Sequence, residues 1–387
     1  MMFDVAVIGA GPAGSMLARL LGEKGYLVAL IEEHAQPGDP VNCSGIIGIE
    51  AFQRFELPDE HTLRSIDSFR FFSPGGASLS YRHHSVMAVA VNRARFDISM
   101  AARAVACGAV LMNHSRVNGI RIEPSTVYIT INHKSILQSR FVVIATGAGS
   151  KLSKLIGLGA PQKFTLGAQT ECEVRDLDDI EIRFGRRVAP SNFAWIIPLQ
   201  ENRAKVGLLA DTGATQALRH FIKSATLSGK IVAAPNPVQC SFLPLDTIPR
   251  SFTDRTLVVG EAAGQIKTIT CGGIYYALRA AEIAADVLDR ALRKNKWDAN
   301  FLSVYERRWK SLLGKELKMG LRMRSIFARL TDDRLDQLFD LAGQDGLMDL
   351  IREKANFDWH RDLVMAVFRH SLVRSALDPV GSAKLLL

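Results

Sequence analysis

With 387 residues, 48% of them hydrophobic and 22% charged, the chain has the proportions of a globular protein with room for two or three structural units. Its five cysteines (Cys43, Cys107, Cys172, Cys240, Cys271) are odd in number and form no Cys-x-x-Cys pair. That argues against a disulfide framework or a metal site and for a reducing, cytoplasmic setting. The formal net charge of +9 favours an anionic partner such as a membrane surface or a phosphorylated substrate, and nucleic acid ranks last because no recognition motif accompanies the charge.

No leader pattern precedes the first strand-like run, Val5 to Ile8, and no apolar run is long enough to cross a bilayer. Any work on membrane lipid is then expected from the surface. The run is followed by Gly9-Ala10-Gly11-Pro12-Ala13-Gly14, by helical spacing over Ser15 to Lys24, and by a second strand over Tyr26 to Ile31. This strand, glycine turn, helix, strand order is one parallel βαβ unit. In Gly-x-Gly-x-x-Gly the first glycine permits the tight turn and the second lets backbone approach a pyrophosphate. The third brings the helix close to the strand, so its N-terminus faces the phosphates. An acid is expected about 20 residues on. Glu32 and Glu33 both stand there, and alternation after Leu30 favours Glu32.

A Pro- and Gly-rich loop spans Gln36 to Gly48, and short alternating runs fill Ser65 to Val91. Phe96 to Cys107 reads as a helix, Val110 to Met112 and Phe141 to Ala145 as strands, the latter ending in Thr146-Gly147. Residues 163–210 read as an antiparallel set, in which Phe193 and Trp195 share one strand face and Pro198 closes the strand. That face is an apolar wall, or equally an ordinary core strand.

A second strand-and-turn unit follows, Thr256 to Gly264 and then Cys271-Gly272-Gly273-Ile274 at the head of an alanine-rich helix. The acid Glu261 suits a ribityl hydroxyl, and the helix N-terminus suits negative charge on a reduced flavin. Two such turns at opposite ends of one chain point to FAD. From about Asp298 the chain is helical and amphipathic. Between Arg307 and Arg329 basic residues interleave with leucine and methionine, which reads either as a membrane-surface element or as a packed helix with a solvated basic face.

The chain resembles the geranylgeranyl reductase family of FAD-dependent flavoproteins, a branch of the aromatic-hydroxylase-type superfamily. The resemblance runs over essentially the whole length. It is carried by the Gly9 to Gly14 turn, Glu32, the Pro40-Val41-Asn42-Cys43-Ser44-Gly45 loop, Arg93 to Asp97, and Ala145-Thr146-Gly147. It continues in Pro190 to Pro198, Gly260 to Gly264 and Gly272-Gly273-Ile274. Two departures stand out: Glu261 replaces the usual Asp, and Cys271 stands where a third glycine is common.

The resemblance implies an α/β fold: one Rossmann-like FAD-binding domain (1–65, 88–160, 250–297), an inserted antiparallel-sheet substrate domain (66–87, 161–249) and a C-terminal helical region (298–387). It implies cofactor contacts at Gly9, Gly11, Ala13, Gly14, Glu32, Cys43, Ser44, Arg93, Gly147, Glu261, Gly272, Gly273 and Ile274. It also puts Val117 near the adenine, where a plain strand valine is an equal reading. Phe193, Trp195 and Pro198 become the roof of a tunnel for a long isoprenoid chain.

The implied reaction is hydrogenation of isolated C=C bonds of a polyprenyl chain on a lipid, diphosphate, quinone or chlorin. Because an unactivated alkene accepts hydride poorly, hydride delivery has to be coupled to a proton donor. Cys43 is the first candidate for that donor, with Tyr275 and Tyr276 behind it. No second dinucleotide turn is present, so electrons come from docked NAD(P)H or from a carrier such as ferredoxin. A flavin monooxygenase is the rival reading, and a prenyl carrier that has lost its flavin is a further one. A halogenase is disfavoured because its Lys and Trp-x-Trp-x-Ile pattern is absent.

Overall fold

The structure, a computed structural model, describes residues 1–149, 151–232, 237–343 and 346–370. The chain opens with β1 (Met2–Ile8), α1 (Pro12–Gly22), β2 (Val28–Ile31), β3 (Ile46–Gly48), α2 (Ile49–Phe55), β4 (Thr62–Ile66), β5 (Ser68–Phe72), β6 (Ser78–Arg82) and β7 (Ala88–Val91). It continues with α3 (Arg93–Ala106), β8 (Val110–Met112), β9 (Val117–Ile122), β10 (Val127–Ile131), β11 (Ser135–Ile144), α4 (Leu152–Leu155), β12 (Phe164–Glu173), β13 (Ile180–Arg183), β14 (Ala194–Pro198) and β15 (Arg203–Ala210). Then come α5 (Ala214–Leu227), β16 (Gln239–Pro244), β17 (Phe252–Thr253), β18 (Thr256–Val258), α6 (Ile274–Lys294), α7 (Ala299–Phe327), α8 (Asp332–Ala342), α9 (Leu347–Lys354) and α10 (Arg361–Arg369).

The apolar run of β1 is buried on both faces because it sits centrally in an eight-stranded sheet ordered β17-β18-β11-β1-β2-β8, with β9 and β10 extending from β11. The pairs β1–β2, β1–β11, β2–β8 and β11–β18 are parallel. α1, α3 and α6 cover one face of this sheet, and Met16, Leu17, Leu21, Phe96, Leu278 and Leu288 join its core. α1 begins at Pro12, three residues before the helix expected from spacing, because proline at the first position gives up no needed N–H. The strand expected from Tyr26 starts at Val28.

The second sheet has seven strands in the order β16-β12-β15-β14-β13-β5-β6. All its pairs are antiparallel except β5 with β13, where Phe69 to Phe72 run parallel to Ile180 to Arg183. One face packs on α5 through Ala194, Ile196, Val206, Leu208 and Phe221. The opposite face carries Trp195, Ile197, Lys205 and Gly207. A small third sheet, β3-β7-β4, contributes Ile46 and Ala90 to a cluster with Trp195 and Ile197.

α7 buries Leu302, Tyr305, Trp309, Leu313 and Leu317 against the cofactor-side core. Of the two readings of this stretch, a packed helix with a solvated basic face describes its apolar side. Arg308, Lys315, Lys318, Arg322 and Arg329 remain exposed on the other side. The helical pattern expected after Asp298 continues through α10 up to Arg369, and residues 371–387 lie outside the described residues.

Candidate functional site

The first turn follows directly from steric demand. Gly9 has φ +104°, and a Cβ there would lie 2.5 Å from the Ala145 carbonyl oxygen. A Cβ on Gly14 would lie 1.9 Å from the Gly9 carbonyl oxygen, a backbone contact that cannot yield. Around Gly11, by contrast, nothing lies within 4 Å of a Cβ position. The open face at Gly11, beside the start of α1, fits a pyrophosphate on the helix N-terminus.

Glu32, 7% exposed, folds back under this turn. Its Oε2 accepts from the Ala10 N–H at 3.0 Å and its Oε1 from the His34 N–H at 3.0 Å, with His34 Nδ1 at 2.7 Å. Glu33 points to the surface and pairs with Arg116. Of the two acids, Glu32 is therefore the one buried at the turn. Beyond β11, Gly147 (φ +68°) faces open space, and the buried Thr146 Oγ1 has no hydrogen-bond partner among the described residues. An orphaned hydroxyl beside an open glycine fits a ligand that supplies the missing partner.

The second turn meets the first in space. A Cβ on Gly260 (φ +75°) would approach Ala13 Cβ to 3.2 Å, so two segments nearly 250 residues apart in sequence share one wall. Gln265 braces it: its Oε1 accepts from the Gly260 N–H at 2.7 Å, and its Nε2 donates to the Tyr305 hydroxyl at 2.9 Å. The Glu261 side chain has no hydrogen-bond partner among the described residues. Burial raises its carboxyl above the usual range, against the pull of Arg93. Its Oε1 sits 2.8 Å from a Cβ position on Gly273, so only glycine leaves it that place. Gly272 is pinned in the same way by Lys267, whose Cε lies 2.8 Å from its Cβ position. Ile274 opens α6 just beyond. Cys271 adopts φ +56°, a left-handed conformation that a side chain disfavours. Burial raises its thiol to about 12.

Between the turns lies the Cys43 loop. The Gly45 N–H donates to Cys43 Sγ at 3.4 Å, and Gly45 itself has φ +80° with Arg93 Cγ 3.2 Å from its Cβ position. Arg93, at the start of α3, donates to both oxygens of Asp97 at 2.7 and 3.0 Å. Burial opposes the guanidinium charge, but Asp97 and Cys43 outweigh it, so Arg93 stays charged inside the site. Lys205 comes from the facing sheet and donates to the carbonyls of Cys43 and Ser44 at 3.2 and 3.1 Å.

Phe193 and Trp195 have ring centroids 6.0 Å apart, and Pro198 ends β14. Trp195 packs with Ile46, Phe69, Ile180, Ile197 and Phe357, and its Nε1 is buried without a partner among the described residues. Trp195 pairs across the strands with Gly207, whose missing side chain lets the indole lie flat.

Val117 heads β9 and packs among Ile129, Ile131 and Leu137. Tyr275 and Tyr276 are 2% and 1% exposed, with hydroxyls donated to Glu50 and to the Asp358 carbonyl. Burial raises Tyr275 to about 12 and raises Tyr276 too, so neither phenol is a ready proton donor.

Sequence reasoning missed Lys205, Asp97, Thr146 and the Asn356–Arg361 segment. In that segment Asp358 pairs with Lys267 at 2.8 Å and Phe357 reaches the Trp195 cluster. A lysine inside an otherwise apolar strand was the one available signal.

Residues 4–377 match the family model described as lycopene cyclase protein. A digeranylgeranylglycerophospholipid reductase of Methanocaldococcus jannaschii is 31% identical over 89% of this chain and 91% of its own. Among solved structures, a geranylgeranyl bacteriochlorophyll reductase-like protein of Thermoplasma acidophilum superposes with a TM-score of 0.86 at 21% identity, over 99% of both chains. A halogenase solved in complex with FAD superposes with a TM-score of 0.72 at 14% identity, covering 100% of this chain and 99% of its own. With a family model spanning nearly the whole chain and this level of identity to the reductase, the chain belongs to the geranylgeranyl reductase family and matches the lycopene cyclase protein model.

Proposed function

We propose that this protein is an FAD-dependent reductase that hydrogenates isolated C=C bonds of geranylgeranyl chains, on a glycerophospholipid as in its Methanocaldococcus relative. The carrying observation is the convergence of both glycine turns, the Cys43 loop and the Trp195 wall on one site. In this reading 1–65, 88–160 and 250–297 hold the cofactor, 66–87 and 161–249 hold the substrate, and 298–387 pack alongside.

The Gly9 to Gly14 turn and the α1 N-terminus would hold the pyrophosphate, with Gly11 giving close approach. Glu32 would orient the ribose, and Glu261 would accept from the ribityl chain. Gly272, Gly273 and Ile274 would present the α6 N-terminus to the ring, with Ala13, Gly147, Ser44 and Arg93 lining the rest and Val117 near the adenine. When bound and reduced by the electron donor, the flavin would supply the hydride. Cys43 holds the proton for the second carbon, at Sγ. Phe193, Trp195 and Pro198 exclude water and grip the chain by area, since an isoprenoid offers no hydrogen-bond handle.

The exposed Arg308, Lys315, Lys318 and Arg322 recur at helical spacing along one face of α7, and the exposed Arg329 follows just past its end. Arg308 is paired with Asp286. This stripe would rest on anionic headgroups, each cation contributing about 1 kcal/mol near the surface. No helix among the described residues is long and apolar enough to cross a membrane. NAD(P)H or a ferredoxin-type carrier would supply the electrons.

Comparing lipid extracts of cells with and without the protein by mass spectrometry tests the reading. Loss of the protein should leave prenyl chains with more double bonds. An unchanged saturation pattern would sink it.

A further inference from the structure

Two lysines among the described residues are almost fully enclosed, and they are treated differently. Lys267 has a carboxylate partner, Asp358, at 2.8 Å. Lys205 is 6% exposed and has no ion pair among the described residues. Burying an ammonium without a counter-charge is costly, so its hydrogen bonds need an explanation.

Lys205 lies in β15 directly opposite Glu171 of β12 and Ile197 of β14. A cross-strand ion pair with Glu171 would be the simple solution, yet Glu171 is engaged by Arg203. The Lys205 side chain instead leaves its own sheet and reaches the backbone carbonyls of Cys43 and Ser44 at 3.2 and 3.1 Å. Its Nζ lies 3.6 Å from the Cβ position of Gly45, whose N–H holds Cys43 Sγ. Two of its three donors are thereby spent on consecutive carbonyls of one turn. The same strand carries Gly207, the seat of Trp195. One side chain thus ties the cysteine loop to the sheet that bears the indole wall.

We propose that Lys205 is a positioning residue, clamping the Cys43 and Ser44 carbonyls so that the Cys43 thiol is held in register with the Trp195 wall. The proposal rests on the reading of Cys43 as the proton-holding group and deepens it. Burial and the nearby Arg93 weaken the lysine's hold on its proton, while Cys43 and Glu171 oppose them.

The test uses the full-length, FAD-loaded protein with Lys205→Met and Lys205→Arg. Iodoacetamide labelling of Cys43 is followed by peptide mass spectrometry at neutral pH, where the lysine keeps its ammonium; loss of a nearby cation cannot by itself speed reaction at a thiolate, so a faster rate reads access. In Lys205→Met, labelling should accelerate about tenfold as the loop opens, and Lys205→Arg, which keeps charged donors, should restore the native rate. Steady-state reduction of a geranylgeranylated lipid should lose about tenfold or more in kcat in Lys205→Met with little change in KM, because misplacement acts on the chemical step. Native Cys43 labelling in Lys205→Met, or a fast rate that Lys205→Arg leaves unrestored, would overturn the proposal. Should Lys205→Met fail to fold, Lys205→Gln takes the same two measurements. The labelling needs no substrate. A wild-type protein that reduces no prenyl chain but shows the labelling change would sink the prenyl reading and keep the clamp.

Discussion

Replacing Gly207 by alanine tests the link between strand register and the substrate wall. Gly207 does not have a positive φ, so alanine fits the backbone and any effect comes from contact. The added Cβ would stand 2.4 and 2.5 Å from Trp195 Cζ2 and Cε2 and 2.8 Å from the Ala168 carbonyl oxygen. The carbonyl is fixed by the β12–β15 ladder, so the indole has to lift. Overpacking of this kind costs about 1–3 kcal/mol, offset by about 0.5–1 kcal/mol for removing a strand glycine. The net is a loss of up to about 2.5 kcal/mol, or a fall in Tm of up to roughly 3 °C by thermal denaturation for a chain of 387 residues. Flavin content should hold, because the glycine turns lie elsewhere, while chain reduction should fall. Trp195→Phe removes both clashing atoms, so the double variant should recover part of the loss, with a coupling of about 0.5 kcal/mol or more. A Gly207→Ala protein with native Tm, native turnover and no coupling to Trp195 would refute the argument.

Other substitutions probe the remaining parts of the site. Gly14→Ala sets a Cβ against the Gly9 carbonyl, so the purified protein should be colourless where wild type shows a flavin spectrum. Arg93→Ala strands Asp97, which is 3% exposed, and should cost about 3–5 kcal/mol in denaturant titration, with Arg93→Ala/Asp97→Ala less damaging than the single change. Burial, helped by Lys267 and resisted by the Phe357 carbonyl, lowers His360 to about 3. The unfolded chain gains that proton near pH 6.5 and the native one does not, so stability should fall as pH drops from about 6.5 towards 3, and His360→Gln should flatten that limb in pH-dependent melting. Replacing Lys315, Lys318 and Arg322 with glutamate should abolish sedimentation with phosphatidylserine vesicles while leaving flavin content intact.

The glycine turns were legible because their residues answer to local sterics: only glycine tolerates φ +104° at position 9 or the 1.9 Å approach at position 14. Strand alternation separated Glu32, which is buried at the turn, from Glu33, which pairs with Arg116 at the surface. What stayed hidden was long-range. Nothing in Phe69 to Phe72 announces parallel pairing with Ile180 to Arg183 more than a hundred residues later. The burial of Leu313 and Leu317 depends on α6, so an amphipathic sequence alone left two readings of α7 open. Lys205 stood out only as a lysine in an apolar strand, and its role stayed hidden because its partners are main-chain carbonyls of another segment, which leave no side-chain signature. The docking of Phe357, Asp358 and Trp359 against the second glycine turn was hidden likewise, since its ion pair joins Asp358 to a lysine ninety-one positions away.

The most direct test of the central claim is anaerobic incubation of the reduced, FAD-loaded protein with a geranylgeranylated glycerophospholipid, read by mass spectrometry. The account predicts stepwise gains of two hydrogens per double bond without oxygen. No gain under these conditions, with an oxygen atom added to the substrate once air is admitted, would contradict it.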